Sequence, residues 1–349
     1  MLAWRLTTTR SALAPPNTLI DRTTPLLRER IRGVFLHLPR ALAGDEEAIH
    51  QMRVSGRRLR VALPLIARKP GGRRVRRALA ILRQIRSAAG SSRDLDVGVA
   101  LLEERVRALD APSREVRTLL RRLRAARTRS RARMAEALMD LEIAGLRRHL
   151  RRILSRRGEG LFPVLLRLGQ ERDARGAALL AALAWLGEDY DPDALHRLRI
   201  GTRRLRYVAE LSAGLKGTAA EASGLFKGVQ EQLGLIRDPY VVSAWLDRQA
   251  EAARARGQDA LSAEAAAQRD FFLDVSRAQH REFLDSGAVT GVTRGLEALG
   301  AANLPVPDRP AAPAYNANRD TQRPERSLAD ASPDHSSRDR RAPGNPGHS

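Results

Sequence analysis

The chain contains the same short motif twice, and this internal repeat constrains its fold more than any other feature. Residues 50–60 read HQMRVSGRRLR and residues 196–206 read HRLRIGTRRLR, with six of eleven positions identical at an offset of 146. A second match, GSSRD at 90–94 against GLIRD at 234–238, follows in the same order at an offset of 144. Because the two matches occur in the same order and at nearly the same offset, they indicate a duplication of about 145 residues.

The repeated region has the pattern of α-helices. Between about residues 24 and 300, leucines recur at three- and four-residue spacing, and alternating runs of β-branched residues are missing. Together with the duplication, this predicts an all-α fold of two helical bundles with about four helices each. The Gly and Pro positions that separate the predicted helices are Gly44, Pro70, Gly90, Pro112, Gly158, Gly187, Gly214 and Gly257.

We expect three segments along the chain. Residues 1–23 are predicted to be loosely ordered, and residues 24–303 to form the duplicated domain, with halves of about 24–160 and 161–303. Residues 304–349 hold eight of the 18 prolines and few large apolar residues, which predicts a disordered tail. No apolar run approaches the ~18 residues of a membrane span, and no signal peptide is recognisable, so we expect a cytoplasmic protein.

The charge of the chain predicts a polyanionic partner. Lys and Arg number 62 against 40 Asp and Glu, for a formal net charge of +22, and all but three of the cations are arginine. The tail contributes only one net positive charge, so the excess belongs to the predicted helical body. Nucleic acid, a membrane surface and inorganic polyphosphate are the three candidate partners. The chain has no cysteine, which excludes disulfides, thiolate metal sites and a cysteine nucleophile.

Each copy of the motif forms a basic stripe when it is placed on a helix at about 100° per residue. In the first copy, an arc of about 80° holds His50, Arg53, Arg57 and Arg60. The equivalent arc of the second copy holds His196, Arg199, Arg203 and Arg206. Apolar side chains, among them Met52 and Leu59, lie on a separate face that can pack inward.

Two interpretations of these stripes compete. Acidic partners on neighbouring helices could neutralise the arginines, as on many charged faces. Against this, the stripes contain almost no interleaved acid, occur twice, and belong to a body with a large cationic excess. Because the planar guanidinium group matches the oxygens of phosphate, we favour phosphate binding over structural salt bridging.

The repeated motif, with Tyr207 and Glu210 after its second copy, resembles the CHAD family, the conserved histidine α-helical domain. The RDLDV sequence at 93–97 is similar to another element of that family, and RDPYV at 237–241 to its counterpart, with Pro239 and Tyr240 departing from it. The likeness runs from about residue 24 to residue 300. It implies two bundles related by pseudo-two-fold symmetry around a basic central cavity.

The resemblance also implies binding of inorganic polyphosphate without catalysis or cofactors, and association with intracellular polyphosphate granules. Carried over position by position, the polyphosphate ligands are His50, Arg53, Arg57, Arg60, His196, Arg199, Arg203 and Arg206. Arg83 and its repeat equivalent Lys227 extend the basic surface. Whether Arg58, Arg93, Arg204 and Arg237 contact ligand or support the structure stays open, and Asp94 and Asp238 are expected to cap the helices that follow them.

Other functions are kept as alternatives. A basic helical nucleic-acid-binding protein fits the charge, but aromatic residues for base stacking are scarce, so we expect nucleic acid only as a non-specific competitor. A surface protein of storage granules is a further alternative. An enzyme is disfavoured because the basic face carries no carboxylate pair, no nucleophile with a base and no Gly-rich phosphate loop. A metal site is disfavoured because arginines flank each motif histidine.

Overall fold

The computed structural model describes residues 22–155, 161–217 and 219–301, and these residues form ten α-helices and no strand. The helices of the first half are α1 Thr23–Leu42, α2 Glu46–Ile66, α3 Arg73–Arg107, α4 Arg114–Met139 and α5 Ile143–Leu154. Those of the second half are α6 Leu161–Ala184, α7 Pro192–Lys216, α8 Ala220–Arg254, α9 Asp259–Asp285 and α10 Ala288–Ala298. The predicted tail and nearly all of the predicted N-terminal segment lie outside the described residues.

The duplication is confirmed by the order and the lengths of the helices. The described part of each half has five helices, and the pairs have similar lengths; α3 and α8, for example, both have 35 residues. The prediction of about four helices per half omits two breaks, one at residues 140–142 between α4 and α5, which contains neither Gly nor Pro, and one at Gly287 between α9 and α10. The short helices α5 and α10 account for the difference.

Contacts between the halves have the reciprocity of a two-fold arrangement. Equivalent helices contact each other, as α2 packs on α7, α3 on α8 and α4 on α9. In addition, α1 contacts α7 and, in the equivalent way, α6 contacts α2. Such self-matching contacts are those expected of two copies related by a two-fold axis. The fold thus has the predicted pseudo-symmetry, with the motif helices α2 and α7 side by side at its centre.

Three hydrophobic clusters hold this arrangement together in the described part of the chain. One lies mainly in the first half and also takes in side chains of α6 and α7, another lies in the second half, and the third lies between the halves. The third cluster is built from the C-terminal parts of α3 and α8 with α4 and α9, and the fully buried Leu102 and Leu246 belong to it. The long helices can serve two clusters because 35 residues span about 50 Å.

The continuity of α3 corrects one prediction. The sequence predicts a helix break at Gly90, yet α3 runs through this residue without interruption. A glycine inside a helix costs only about 1 kcal/mol relative to alanine. Burial of Ala89 and Leu95 on either side offsets this cost, because both side chains pack into hydrophobic clusters. None of the helices in the described ranges is long and apolar enough to cross a membrane.

Candidate functional site

The two motif helices are positioned by caps and buried leucines. The carboxylate of Asp45 accepts a hydrogen bond from the backbone N–H of Ala48 at 2.7 Å, which fixes the start of α2. Asp191 caps α7 in the same way. On the inward faces, Met52 and Leu59 of α2 are fully buried, as the sequence predicts. This packing turns the basic stripes away from the hydrophobic clusters and toward the junction of the halves.

A cavity of about 540 Å³ lies at this junction, between α2, α3, α7 and α8, and we call it the central cavity. Its lining includes His50 and eight cationic side chains, which are Arg53, Arg57, Arg58, Arg93, Arg199, Arg206, Lys227 and Arg237. Four carboxylates, from Asp94, Glu210, Glu231 and Asp238, also line it. The cations come from both halves, so neither half makes this site alone.

A second cavity, of about 310 Å³, lies between α2, α3, α6 and α7, and we call it the flanking cavity. It shares Arg57 and Tyr207 with the central cavity, so the two adjoin along the α2–α7 pair. Its other cationic lining residues are Arg60, Arg83, Arg86, Arg175, Arg203 and Arg204. In the repeat, Arg60 and Arg83 of this cavity correspond to Arg206 and Lys227 of the central cavity.

The predicted ligand residues are therefore divided between two adjoining cavities. The central cavity holds His50, Arg53, Arg57, Arg199, Arg206 and Lys227, and the flanking cavity holds Arg60, Arg83 and Arg203 together with Arg57. His196 lines neither cavity and is exposed near the start of α7. His50, by contrast, is half-buried in the central cavity. Duplication of the motif has not given its two histidines equivalent surroundings.

The arginines that the sequence left undecided also line these cavities. Arg58, Arg93 and Arg237 line the central one, and Arg204 lines the flanking one. Sequence reasoning missed two more arginines. Arg86 lies one helical turn beyond Arg83 on the same side of α3, so its spacing was a usable signal. Arg175 belongs to α6, which carries no copy of the motif, and nothing in the sequence points to it.

Glu210 is the main anion among the cations at one side of the central cavity. Arg58 donates two hydrogen bonds to its carboxylate, at 2.6 and 2.9 Å, across the junction of the halves. Arg206 and Arg30 lie 3.5 and 3.8 Å from it. The repeat places Pro64 at the equivalent position of α2, beside the flanking cavity, and the carboxylate that lines that cavity comes instead from Glu171 of α6, which pairs with Arg175 at 2.8 Å.

The prediction that Asp94 and Asp238 are N-caps is wrong. Both lie inside long helices, where no helix begins, because α3 and α8 continue through the repeated Arg-Asp pair. Arg237 instead donates to both oxygens of Asp94, at 3.0 and 3.3 Å, and so joins α8 to α3. Asp238 lies close enough to Arg93 for their charges to interact, and burial raises the pKa of this carboxyl.

Arg57 and Arg199 of the central cavity are incompletely compensated. The Nε atoms of Arg57 and Arg199 are shielded from solvent and have no hydrogen-bond partner. Burial lowers the pKa of Arg199 to about 10, and the charge of Arg237 acts in the same direction. Burial also lowers the pKa of His50, with a further contribution from Arg93. The neighbouring cations that contribute to these lowered pKa values would stabilise an anion placed beside them.

Among the described residues, no group of three or more His, Asp and Glu side chains is arranged to hold a metal ion. The histidine of the central cavity lies among arginines, and Asp94 and Glu210 already accept hydrogen bonds from guanidinium groups. The arrangement is suited to holding a multivalent anion.

The chain belongs to the CHAD domain family. The family model, described as CHAD domain, matches residues 25–247 and, in a second and overlapping match, residues 188–342. The fold is shared with a solved member, "Crystal structure of the CHAD domain from the plant Ricinus communis". That likeness has a TM-score of 0.52 at 23% sequence identity, and it covers 75% of this chain and 91% of the plant chain.

Two curated relatives come from Mycobacterium tuberculosis. They are Uncharacterized protein MT2285, from strain CDC 1551 / Oshkosh, and Uncharacterized protein Rv2226, from strain ATCC 25618 / H37Rv. Each is 29% identical to this chain over 267 residues, which cover 70% of this chain and 48% of the relative. The chain thus spans about half the length of the curated relatives it matches.

Proposed function

We propose that this protein binds inorganic polyphosphate in the central and flanking cavities, without catalysing a reaction. The observation that carries the proposal is the convergence of cations from both halves around His50. Seven arginines and Lys227 line the central cavity against four carboxylates, and six more arginines line the flanking cavity. An unbranched chain of phosphates can supply negative charge along both cavities at once.

The shape and chemistry of the cavities favour polyphosphate over nucleic acid. Cavities of about 540 and 310 Å³ are too small to enclose a duplex. Binding of single-stranded nucleic acid uses aromatic platforms on which bases stack. Among the residues that the structure describes, the only Phe, Trp or Tyr lining either cavity is Tyr207, which is buried. Polyphosphate carries no base, and therefore needs no such platform.

A binding role also fits the state of the acidic side chains. A general base needs a carboxylate that is free to accept a proton from substrate. Asp94 and Glu210 are instead engaged by Arg237 and Arg58. We also propose that the protein is cytoplasmic and that it associates with polyphosphate granules.

Competition binding with the full chain tests the proposal. Labelled polyphosphate of about one hundred units is displaced by unlabelled polyphosphate, duplex DNA or single-stranded RNA, at equal phosphate concentration and physiological salt. We expect polyphosphate to compete at least tenfold better than either nucleic acid. Equal competition by RNA or DNA would overturn the proposal in favour of a general polyanion binder.

A pair of variants localises the binding. Arg57→Ala with Arg199→Ala removes two cations from the central cavity, whereas Arg129→Ala with Arg133→Ala removes two exposed cations from α4. Since both variants lose the same charge, a general electrostatic effect weakens binding equally in both. We expect at least a tenfold larger loss of affinity for the cavity variant, with unchanged helicity by circular dichroism.

A further inference from the structure

A third basic cavity lies outside the site described above. Its volume is about 340 Å³, and it lies between the end of α2, the start of α3 and α5. We call it the α3–α5 cleft. Its ionisable lining residues are Arg68, Lys69, Arg73, Arg74, Arg77, Arg152 and His149. On α3, Arg73 and Arg77 lie about 80° to 180° around the helix from Arg83 and Arg86 at 100° per residue, so the cleft opens on a different side of α3 from the flanking cavity.

The charged side chains that line this cleft are all basic. Six of its lining side chains are cationic, and none is a carboxylate. The Nδ1 atom of His149 is shielded from solvent and has no hydrogen-bond partner. Burial and the charge of Arg77 lower the pKa of this histidine, although Glu142 acts in the opposite direction. Cations held this close repel one another, and a multivalent anion relieves that repulsion.

The start of α3 adds to the attraction. Its N-cap residue, Gly72, lines the cleft and offers no side chain to the first-turn amides, and the first turn contains no acidic residue. The partial positive charge of a helix N-terminus therefore faces this space without an internal anion. Together with guanidinium groups from two other segments, it forms a site suited to phosphate oxygens.

The equivalent helix of the second half, α10, has no counterpart of His149 or Arg152. Residues 145–153 of α5 read GLRRHLRRI, and residues 291–299 of α10 read GVTRGLEAL at the same offset of 146. The buried Leu146 and Leu150 correspond to the buried Val292 and Leu296. The half-buried His149 corresponds to Gly295, which is buried against Phe226, and the exposed Arg152 corresponds to the exposed Ala298. Only the first half has acquired this basic cluster.

We propose that the α3–α5 cleft is a second, separate binding site for condensed phosphate, of a size that takes a short segment such as tripolyphosphate. The site goes beyond the proposed function, because one protein molecule then holds two stretches of polyphosphate at once. Two sites on one molecule allow it either to bind a long chain twice or to link two chains. In the first case, the second contact is intramolecular and raises the overall affinity.

Calorimetry and histidine NMR with tripolyphosphate on the full chain test this inference. The cleft variant is Arg73→Ala with Arg77→Ala, and the matched control is Arg129→Ala with Arg133→Ala, with the same spacing on α4. We expect tripolyphosphate to shift the imidazole signals of His149 in the wild type and in the control. In the cleft variant, we expect at least a tenfold weaker response of His149 and the loss of one binding event.

The outcomes separate this inference from the proposed function. If Arg57→Ala with Arg199→Ala abolishes the response of His50 but leaves that of His149, both sites stand. If the cleft variant binds tripolyphosphate at His149 as the wild type does, the second site is refuted and the central one is untouched. If His149 responds while no variant affects polyphosphate binding at His50, the proposed function is refuted, but the binding site in the α3–α5 cleft stands. Equal displacement by sulfate at the same ionic strength would refute the assignment to condensed phosphate.

Discussion

Neutralising Glu210 should make the protein bind polyphosphate more tightly while making it less stable. Its carboxylate is 14% exposed and pairs with Arg58, and it lies 3.5 Å from Arg206. Both cations line the central cavity and are proposed to face the bound chain. In Glu210→Gln, the amide oxygen can still accept a hydrogen bond from Arg58, but the negative charge that opposes the ligand is gone.

The size of the effect follows from Coulomb's law. At an effective dielectric constant of about 20, one unit charge roughly 8 Å from a bound phosphate is worth about 2 kcal/mol. That corresponds to about a 30-fold change in Kd. Salt screening over a Debye length of about 8 Å reduces it. We therefore expect Kd for polyphosphate to fall by about three- to thirty-fold in Glu210→Gln.

Stability should move in the opposite direction. Without bound anion, Arg58 and Arg206 lose the carboxylate that offsets their repulsion, in a setting that is only partly open to solvent. Weakening a partly buried ion pair while keeping one hydrogen bond costs about 1–3 kcal/mol. Urea unfolding measures this loss, and fluorescence polarisation with labelled polyphosphate measures Kd in about 0.15 M salt.

A matched control lies in the same cavity. Glu231 pairs with Lys227 at 3.4 Å, and both side chains are about 65% exposed, so Glu231→Gln removes the same charge from the solvated rim. We expect Kd to change less than about twofold there, because exposed ion pairs contribute little. The reasoning is refuted if Glu210→Gln weakens binding, since Glu210 then serves to hold the arginines in a binding geometry.

Three further predictions concern the junction of the halves, pH and salt. Asp94→Asn should lower the free energy of unfolding by about 1–3 kcal/mol, because Arg237 loses the charge of its two-fold hydrogen-bonded partner and keeps the 3.4 Å contact with Asp238; an unchanged urea midpoint contradicts this. Since the pKa of His50 is lowered, the free protein has this residue neutral near pH 7, and a bound anion raises its pKa. Affinity should therefore rise as the pH falls below about 6.5, while stability without ligand declines over the same range because the unfolded chain takes up the proton more readily. In His50→Gln, the part of the pH dependence that is due to this residue should disappear from polarisation titrations. For about eight phosphates bound by the central cavity, log K should fall with log salt at a slope of roughly −5 to −6. Deleting residues 304–349 should leave this slope unchanged, and a slope near −1 would show that the cations do not act together.

The sequence by itself determined the fold class, the duplication and the two motif helices. These follow from local chemistry: leucine spacing sets which face of α2 is buried, and Asp45 and Asp191 mark where the motif helices begin. The basic stripes also followed, because three arginines and a histidine at i, i+3, i+7 and i+10 share a face of any α-helix. Most of the candidate ligand residues could be named on this basis alone.

Tertiary structure alone decided how the stripes combine. The sequence predicted a break at Gly90 and helix caps at Asp94 and Asp238. In the structure, burial of flanking apolar side chains keeps α3 continuous through Gly90. Asp94 therefore lies inside the helix, where it pairs with Arg237. The sequence also predicted the same role for His50 and His196, although only His50 lines the central cavity. Nor did it point to Arg175, whose helix carries no motif. Periodicity specifies the face of a helix on which a residue lies, but what that face meets depends on contacts between segments more than a hundred residues apart.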